Sequence, residues 1–571
     1  MPSRGREVVP SVRTAEETAT VADQLVGDLV AAGITTYFGV PGGAIEPLFN
    51  ALARHQARGL VEVIPMRSEA GAAFAADGYY RATGRMAACT ATTGPGVANL
   101  LTATMAAHAD RIPLLLITPQ VALRKQGRGA LQDSSIDAYD LPRILAECTR
   151  YSTEVTHPEQ LGHKLARALA MAESAPSGPV HLSVPSDILA GRAPARAADA
   201  KPGRQLWSRP TDEPAVRALA DEVLSARSPV FYIGDDAGPE AHRIRRLARA
   251  LRASIVTSPA GKRWVGHTDP AYKGVLGFSG HPSARKAVEK ADLVVAFGAT
   301  FDELSTNAWS ALPDVPVYSI DRHVEHAHRL PNLRPIIGET GEVIDRILGR
   351  LPDAAATSQH LAPATRRLRL VHQAGDGPVH PSDLMHWLSD ALPEEVVVHV
   401  DAGNSFSWST RALVRPLPDT YRVAMGLSTM CWAIAAVIGA AVARRRRALC
   451  ICGDGSMLMS SLELTVAVER NLPVTYVILN DSSLGMVRHG QRLSGAEPVA
   501  HDISPVRFDA LAHACGARGL RVESAADLEW VPYEWLASDE GGPAVVDVRI
   551  DRDAVPPMAD RVRGLAEGVP K

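Results

Sequence analysis

Two short segments of the sequence combine oxygen-bearing side chains with small residues. "CGDGS" (452–456) follows the apolar run "ALCIC", and "LNDSS" (479–483) follows "PVTYVIL". Both runs predict buried strands, so Asp454 and Asn480 stand at strand ends, where ligands of open α/β sheets gather. Carboxylate and amide oxygens, completed by water and phosphate oxygens, suit Mg²⁺ better than zinc. We therefore expect a magnesium site at these residues.

The residues around Asp454 suit a phosphate group. Gly453, Gly455 and Ser456 leave backbone N–H groups free at a predicted helix start, which is a favourable position for an anion. An isolated "GDG" is most often only a turn, because Gly and Asp are common turn residues. Its pairing with a strand-end Asn favours a magnesium-diphosphate site.

This pairing resembles the thiamine-diphosphate signature, in which GDG is followed further along the chain by an Asn pair. Asp481 stands here in place of the second Asn. The resemblance implies three metal ligands: Asp454, Asn480 and the backbone carbonyl of Ser482.

Glu69 fits the acid–base chemistry of that cofactor. Thiamine diphosphate needs a carboxyl group beside its aminopyrimidine ring to reach the imino tautomer, and an apolar pocket raises the proton affinity of that group. Glu69 follows the predicted strand "VEVIP" and begins an Ala-rich helix. A glutamate at a helix start is commonly only a capping partner, so its position alone leaves both roles open.

Longer segments resemble the acetolactate-synthase-like thiamine-diphosphate enzymes. "EAGAAFAADGYYRATGR" is similar to the family pattern around its catalytic glutamate, and "TTGPGVANLLTATMAAHADRIPLLLITPQ" extends the similarity. It continues through "GVPGGAIEPLFNAL", "PSGPVHLSVPSDIL", "VHVDAGNSFSW" and "NLPVTYVILNDSSLGMV". The resemblance implies that Glu69 is the tautomer switch. It also implies a homodimer or homotetramer, in which one subunit's N-terminal domain meets its partner's C-terminal domain.

The same resemblance implies further cofactor contacts. Gly403, Asn404 and Ser405 of "DAGNS" would contact the diphosphate, and the carbonyl of Ser428 would receive the pyrimidine amino group. Met430 fits the bulky residue that bends the cofactor. Considered by itself, Met430 could equally be core filler.

Four departures from the family pattern concern the substrate pocket. The segment after "GMV" is "RHG" (488–490) where the biosynthetic enzymes have Arg-Gln-Trp, and Leu304 replaces the second Arg of the "GARFDDR" loop. "LQD" (131–133) replaces "FQE" but keeps Gln132, and Ser428 replaces a Gly. These changes predict a roomier and less cationic acceptor site than that of the biosynthetic enzymes.

Three polar residues are candidate substrate contacts. Gln132 is retained from the family pattern, and Lys262 in "PAGKRWVG" matches a family active-site Lys. Lys262 could also be an ordinary surface residue. His489 could replace the lost Trp as an acceptor contact, and a solvated loop histidine is the alternative.

The central part of the chain leaves a nucleotide site open. Family members often carry FAD there, and Asp321 at the end of "VPVYSID" could bind a ribose hydroxyl. "YIGDDAG" lacks the full G-x-G-x-x-G phosphate turn, so FAD binding is not decided. His323, His326 and His328 lie nearby, but no adjacent Cys or His group completes a metal site, which favours a solvated helix start.

The elements that position these residues alternate as strands and helices, which predicts three α/β, doubly wound parallel-sheet domains. We expect a pyrimidine-binding domain at 16–190, a central domain at 213–350 and a diphosphate-binding domain at 378–560. Pro/Ala/Gly-rich segments predict linkers at 191–212 and 351–377.

The composition of the 571-residue chain is that of a globular protein. A net charge of −3 does not suggest a nucleic-acid partner, and six scattered cysteines together with an N-terminus lacking a signal pattern predict a cytoplasmic protein.

Residues 425–443 are apolar enough to imitate a membrane span, but their small residues and the strand that follows favour a core helix. The run 444–447 should then be its solvated end.

The leading hypothesis is a carboligase that depends on thiamine diphosphate and Mg²⁺. It would decarboxylate a 2-oxo acid, which the resemblance implies is pyruvate, and add the two-carbon unit to a carbonyl acceptor. A simple 2-oxo acid decarboxylase is the alternative, although such enzymes commonly use a histidine pair that this chain lacks. A non-catalytic relative is the third hypothesis, and the joint presence of Glu69, Asp454 and Asn480 argues against it.

Overall fold

The computed structural model describes residues 19–194, 211–322, 325–351 and 377–558, and their strands form three six-stranded sheets. Neighbouring strands within each sheet are parallel, as in the pair formed by 448–453 and 474–479. Parallel neighbours need crossover connections, which the helices supply. The predicted fold of three doubly wound parallel-sheet domains is confirmed.

The N-terminal sheet has the strand order β2-β1-β3-β4-β6-β5. Its strands are β1 (Thr36–Gly39), β2 (Glu62–Pro65), β3 (Ala88–Thr90), β4 (Leu115–Gln120), β5 (Tyr151–Glu154) and β6 (Val180–Pro185). The helices are α1 (Val21–Ala31), α2 (Glu46–Ala57), α3 (Glu69–Thr83), α4 (Pro95–Asn99), α5 (Leu101–Ala109), α6 (Leu141–Ala146), α7 (Leu161–Glu173) and α8 (Ser186–Ala190).

The central sheet has the order β12-β11-β10-β7-β8-β9. Its strands are β7 (Pro229–Ile233), β8 (Ser254–Thr257), β9 (Tyr272–Val275), β10 (Leu293–Phe297), β11 (Val317–Asp321) and β12 (Leu333–Ile337). The helices are α9 (Glu213–Ser225), α10 (Ala241–Leu251), α11 (Pro282–Glu289), α12 (Glu303–Thr306) and α13 (Thr340–Leu348).

The C-terminal sheet has the order β14-β13-β15-β16-β18-β17. Its strands are β13 (Val397–Val400), β14 (Tyr421–Arg422), β15 (Ala448–Gly453), β16 (Val474–Asn480), β17 (Arg518–Val522) and β18 (Ala544–Arg549). The helices are α14 (Pro381–Ala391), α15 (Asn404–Ala412), α16 (Trp432–Arg444), α17 (Asp454–Ser460), α18 (Leu464–Glu469), α19 (Gly485–Leu493), α20 (Phe508–Ala514) and α21 (Tyr533–Ala537).

The sheets mark where the three domains lie, but the limits 16–190, 213–350 and 378–560 stay a prediction. The two predicted linkers, 191–212 and 351–377, fall almost entirely outside the described residues.

Helices α3 and α16 join the N-terminal and C-terminal domains through a backbone contact that only glycine permits. A Cβ added to Gly78 would lie 2.0 Å from the Ala436 carbonyl oxygen, and one added to Gly439 would lie 1.8 Å from that of Ala75. The small residues of 425–443 therefore serve close packing, and α16 is a buried helix. Among the described residues, none forms a helix long and apolar enough to cross a membrane.

The arginine run after α16 was predicted as a solvated helix end, and this is wrong for Arg447. Its side chain is buried and donates to the carbonyl oxygens of Ser538 (2.6 Å), Glu540 (2.9 Å) and Gly542 (3.1 Å). Burial of Arg447 is possible because the loop after α21 turns these carbonyls inward, which the sequence pattern does not reveal.

Candidate active site

A cavity of about 310 Å³ lies at the carboxyl ends of β13, β15 and β16. Many of the predicted cofactor residues line it together, namely Gly403, Asn404, Ser405, Ser428, Met430, Gly453, Asp454, Gly455 and Ser456. Most of the other lining residues are apolar and include Phe278, Leu304, Phe406, Met425, Met486 and Val487. This arrangement is the one expected for a parallel sheet, whose ligands gather beyond the carboxyl ends of the strands.

Asp454 and Asn480 lie side by side because β15 and β16 are in register up to Gly453 and Leu479. The Asp454 carboxylate accepts from the backbone N–H groups of Gly455 (2.8 Å) and Ser483 (3.3 Å). Asn480 donates through Nδ2 to Asp547 (2.8 Å) and to the carbonyl of Val506. Since both amide hydrogens are engaged there, the Asn480 side-chain oxygen is the atom left for a cation.

The electrostatics of this cluster also suit a cation. Burial, reinforced by the nearby Asp481 carboxylate, raises the pKa of Asp454 to about 7. Burial likewise raises the pKa of Asp481 to about 6. Two carboxyl groups that interact electrostatically destabilise each other when both are ionised, and a divalent cation would relieve this repulsion. The donor set therefore fits Mg²⁺.

The third predicted ligand, the carbonyl of Ser482, lies on the same loop. Ser482 has a positive φ of 53°, and its carbonyl oxygen accepts from the backbone N–H of Ile503 at 2.9 Å. A carbonyl oxygen has a second lone pair, so this hydrogen bond is compatible with a metal contact.

Two helices begin at the cavity and suit a diphosphate. α15 starts at Asn404 directly after β13, and α17 starts at Asp454 directly after β15. Gly403 has φ +97°, and no atom lies within 4 Å of a Cβ placed there, so the backbone is open to a ligand. The side-chain oxygen of Asn404 is buried without a partner among the described residues. The N–H groups at both helix starts that lack an acceptor can bind phosphate oxygens. The expectation that the Gly455 N–H is free is wrong, because it donates to the Asp454 carboxylate at the start of the same helix.

Asp401 was not singled out from the sequence, yet it holds the loop that carries Met430. Its buried carboxylate accepts from the backbone N–H groups of Cys431 (2.8 Å) and Ala433 (3.0 Å). Its position at the end of the apolar run "VVVHVD" could have marked Asp401 as a strand-end residue. Asp547, which orients Asn480, lies inside β18, and no sequence pattern distinguished it.

Glu69 and Gln132 lie in a second group of residues on the N-terminal domain. Glu69 begins α3 and accepts from Asn99 Nδ2 at 3.0 Å. The loop 92–96 lies between the two: Gln132 packs against Gly94, and a Cβ on Gly96 would lie 3.3 Å from Glu69 Oε1. Neither Glu69 nor Gln132 lines the C-terminal cavity of the same chain.

Lys262 lies neither at the surface nor in the cavity. Its side chain is buried, and its ammonium group donates to the carbonyls of Ser409 (2.7 Å), Thr410 (3.0 Å) and Leu413 (2.8 Å). These carbonyls belong to the C-terminal end of α15, where a cation also interacts favourably with the helix dipole. The structure thus gives Lys262 the place of a helix cap, and its substrate contact stays a prediction.

Replacement of Lys262 by Met should therefore act on stability. Three carbonyl groups lose their donor, and we expect a loss of about 2–4 kcal/mol, which lowers the Tm by about 5–10 °C. Thermal unfolding measures this, and Lys290→Met on the exposed end of α11 is the control. A normal Tm together with a raised KM would instead indicate a substrate contact.

His489 is buried in α19, so the solvated-loop alternative is wrong. Burial and the neighbouring Arg488 and Arg492 lower its pKa. It does not line the cavity, and Arg488 is turned away to Asp553 at 2.5 Å.

The central-domain candidates do not form a recognisable site. Asp321 ends β11, and its carboxylate accepts from the backbone N–H of Arg322 at 2.7 Å. His326 contacts Arg111, and His323 lies outside the described residues. Within the described part of the chain, no group of three His, Cys, Asp or Glu residues could hold a metal ion. FAD binding stays undecided.

Comparisons with known proteins assign this architecture to a family. The models of thiamine pyrophosphate enzymes match along the chain: the N-terminal TPP binding domain at 19–141, the central domain at 216–347 and the C-terminal TPP binding domain at 401–548. The chain belongs to this family, for which thiamine diphosphate with Mg²⁺ is the implied cofactor.

The relatives compared below are all described as acetolactate synthases or their large subunits. The acetolactate synthase isozyme 2 large subunit of Escherichia coli (strain K12) is 32% identical, with 93% of this chain and 95% of the relative covered. The acetolactate synthase large subunit of Parasynechococcus marenigrum is 31% identical, with 94% and 88% covered. The catabolic acetolactate synthase of Raoultella terrigena is 29% identical, with 93% and 95% covered.

Proposed function

We propose that this chain is a thiamine-diphosphate- and Mg²⁺-dependent carboligase that decarboxylates a 2-oxo acid such as pyruvate and adds the two-carbon unit to a carbonyl acceptor. The convergence of Asp454, two helix starts and Met430 on one cavity carries the proposal, with Asn480 at the end of the neighbouring strand β16. The acetolactate synthases among its relatives support the class of reaction. Thiamine diphosphate supplies the nucleophilic carbon and the electron sink for decarboxylation.

In this scheme, the residues of the chain bind the cation and the cofactor and orient the cofactor. Asp454 and the oxygen of Asn480 would hold the cation, and the helix starts of α15 and α17 would bind the diphosphate. Asp401 fixes the loop of Met430, which would orient the cofactor. Glu69 would exchange a proton with the pyrimidine ring.

The cavity favours an uncharged carbonyl acceptor. Among its described lining residues none is Lys, Arg or His. Leu304 lines it together with Phe278 and Phe406, whose stacked rings are 5.9 Å apart. A carboxylate would find no cation among these residues. A bulky aldehyde or ketone of specialised metabolism, such as a sugar ketone, fits the altered pocket.

The position of Glu69 supports a homodimer or homotetramer. Ser68, just before α3, donates to Glu463 at 2.8 Å, and Glu463 lies beyond the end of α17, whose first residue is Asp454. α17 is about 10 Å long, and Glu69 does not line the cavity that contains Asp454 of the same chain. The exposed side chains of Leu131 and Leu462 offer apolar surface for a second copy.

Mixing two inactive variants tests this shared site. Glu69→Gln and Asp454→Asn chains are expected to be inactive separately, because each removes one half of every site. Co-expressed in equal amounts, they should recover about a quarter of the wild-type activity, because half of the dimers are mixed and carry one intact site. No recovery, with mixed dimers verified by two affinity tags, would place the whole site within one chain.

CO₂ release from pyruvate, with thiamine diphosphate and Mg²⁺ present, tests the activity itself. It is measured without acceptor and with 2-oxo acids, aldehydes and ketones. Acceleration by one acceptor and a product of the ligated mass support the carboligase. Steady release that yields acetaldehyde alone would identify a decarboxylase, although no histidine lines the described cavity. No release from any 2-oxo acid would indicate a non-catalytic relative.

A further inference from the structure

The segment between β14 and α16 contributes three residues to the lining of the candidate active-site cavity, namely Met425, Ser428 and Met430. We call residues 425–431 the cofactor loop. None of them is buried in the described chain, so packing alone does not fix the course of the loop. Ser428 and Cys431 have positive φ angles of 52° and 74°, which residues other than glycine rarely adopt unless their surroundings impose them. Contacts from outside the loop must therefore hold it.

Two aspartates hold the cofactor loop near its ends. Asp401, in the C-terminal domain, accepts from the backbone N–H groups of Cys431 and Ala433. Asp110 directly follows α5 in the N-terminal domain, and one of its carboxylate oxygens accepts from the backbone N–H of Gly426 at 2.6 Å. A Cβ added to Gly426 would lie only 2.6 Å from the same oxygen, so a larger residue would disturb this contact. The N-terminal domain thus grips the start of the loop.

The buried guanidinium group of Arg81 connects this grip to both flanks of the cofactor loop. Its Nη2 donates to the second oxygen of Asp110 at 2.6 Å, and its Nη1 donates to the carbonyl of Val423, just before the loop, at 3.3 Å. Its Nε donates to Asp77 at 2.6 Å. Asp77 also accepts from the indole N–H of Trp432, the first residue of α16, at 2.9 Å. Residues on both sides of the loop are therefore bonded to one cluster on the N-terminal domain.

The charges in this cluster make its hydrogen bonds strong. Burial raises the pKa of Asp110 to about 6, so its carboxylate is ionised at neutral pH and its bonds are charge-assisted. Arg81 is 1% exposed, and it also lies 3.8 Å from Asp235 of the central domain. Removal of one partner from a buried ion pair leaves the other charge uncompensated. The cluster therefore fixes the cofactor loop at a junction of all three domains.

We propose that Asp110 and Arg81 are positioning residues of the cofactor pocket, which hold the cofactor loop in the conformation that presents Ser428 and Met430 to the pyrimidine. This inference rests on the cofactor contacts of the proposed function. It gives the N-terminal domain a second task, because Glu69 would serve the site of the partner subunit, whereas Asp110 shapes the site of its own chain.

Calorimetric titration with thiamine diphosphate at saturating Mg²⁺ tests this role. Asp110→Ala removes the acceptor of the Gly426 N–H, and we expect it to raise the Kd of the cofactor by about 10–100-fold, the value of one hydrogen bond to a charged group. At saturating cofactor, exchange of the cofactor C2 proton should still be slower than in the wild type, because the displaced loop aligns the bound cofactor less well. The exchange rate thus separates positioning from binding.

Arg447→Met is the matched control for a general loss of stability. Arg447 is buried and donates to three backbone carbonyls, but these belong to the loop after α21 and not to the cofactor loop. The variant should lower the Tm of the apoenzyme, as Asp110→Ala does, and leave the cofactor Kd and the C2-proton exchange unchanged. Equal losses of cofactor affinity in Arg447→Met and Asp110→Ala would show a structural effect only and overturn the inference.

Asp110→Asn keeps the inference testable if Asp110→Ala does not fold. The amide has the size of the carboxylate and one oxygen for the Gly426 N–H, but it cannot offer oxygens to both Gly426 and Arg81. Its cofactor Kd should lie between those of the wild type and Asp110→Ala, and a wild-type Kd with wild-type exchange would overturn the inference alone. A wild-type enzyme that binds no thiamine diphosphate would overturn the proposed function and, with it, this inference.

Discussion

Replacing Glu69 by Gln lowers the turnover of the holoenzyme by about 10²–10⁴-fold, the range of a single general acid–base group. The cofactor affinity changes little, because the side-chain oxygen of Gln can still accept the hydrogen bond from Asn99 and the shape of the residue is kept. Steady-state kinetics with saturating cofactor measures the loss. Cofactor titration by fluorescence quenching measures binding separately.

Glu46→Gln is the matched control for this variant. Glu46 also begins a helix, α2, but it is exposed and does not line the C-terminal cavity, so its rate should equal that of the wild type. Exchange of the cofactor C2 proton, followed by NMR after acid quenching, should slow in Glu69→Gln alone. Unchanged turnover in Glu69→Gln would refute the assigned role.

Asp454→Asn should weaken the binding of Mg²⁺ and cofactor to the enzyme, but it should keep or raise the unfolding temperature of the apoenzyme. Loss of the anionic ligand weakens the binding of Mg²⁺ and cofactor by at least about 100-fold and nearly abolishes activity at ordinary cofactor concentrations. The apoenzyme should unfold at the same or a higher temperature, because the buried repulsion between Asp454 and Asp481 is removed. Calorimetric titration with Mg²⁺ and thiamine diphosphate, and thermal unfolding without them, measure the two effects.

Asp390→Asn, on the exposed side of α14, is the control and should change neither quantity. A general packing defect would instead lower the Tm of the Asp454→Asn apoenzyme together with its cofactor affinity. Full cofactor affinity in Asp454→Asn would contradict the proposed cation site.

The alternation of apolar runs and helical segments was enough to predict the three parallel sheets. Strands such as β15 and β16 are continuous runs of buried apolar residues, the pattern that a sheet covered on both faces requires. The proximity of Asp454 and Asn480 followed from their strand-end positions, since parallel strands bring their carboxyl ends to one edge. Edge strands with mixed composition, such as β5 and β17, had no comparable signal.

Side-chain direction could not be predicted in the same way. Lys262 matches the family pattern and His489 departs from it, yet the first caps α15 and the second is buried in α19. Arg447 belongs to a run of four arginines but is the one drawn into the interior. In each case a distant loop or helix end supplies the carbonyl groups or the cover, and such partners leave no local pattern.

The sequence by itself determined the chemistry that this protein can hold: a cation site, a phosphate-binding helix start and a glutamate at the start of α3. Local patterns suffice for these features, because strand ends and helix starts are encoded within a few residues. Only the tertiary structure decided that Glu69 does not line the cavity that contains Asp454 of the same chain, and that Arg422 is buried with donors unused in the described structure. Both depend on packing between segments distant in sequence, which decides which groups meet.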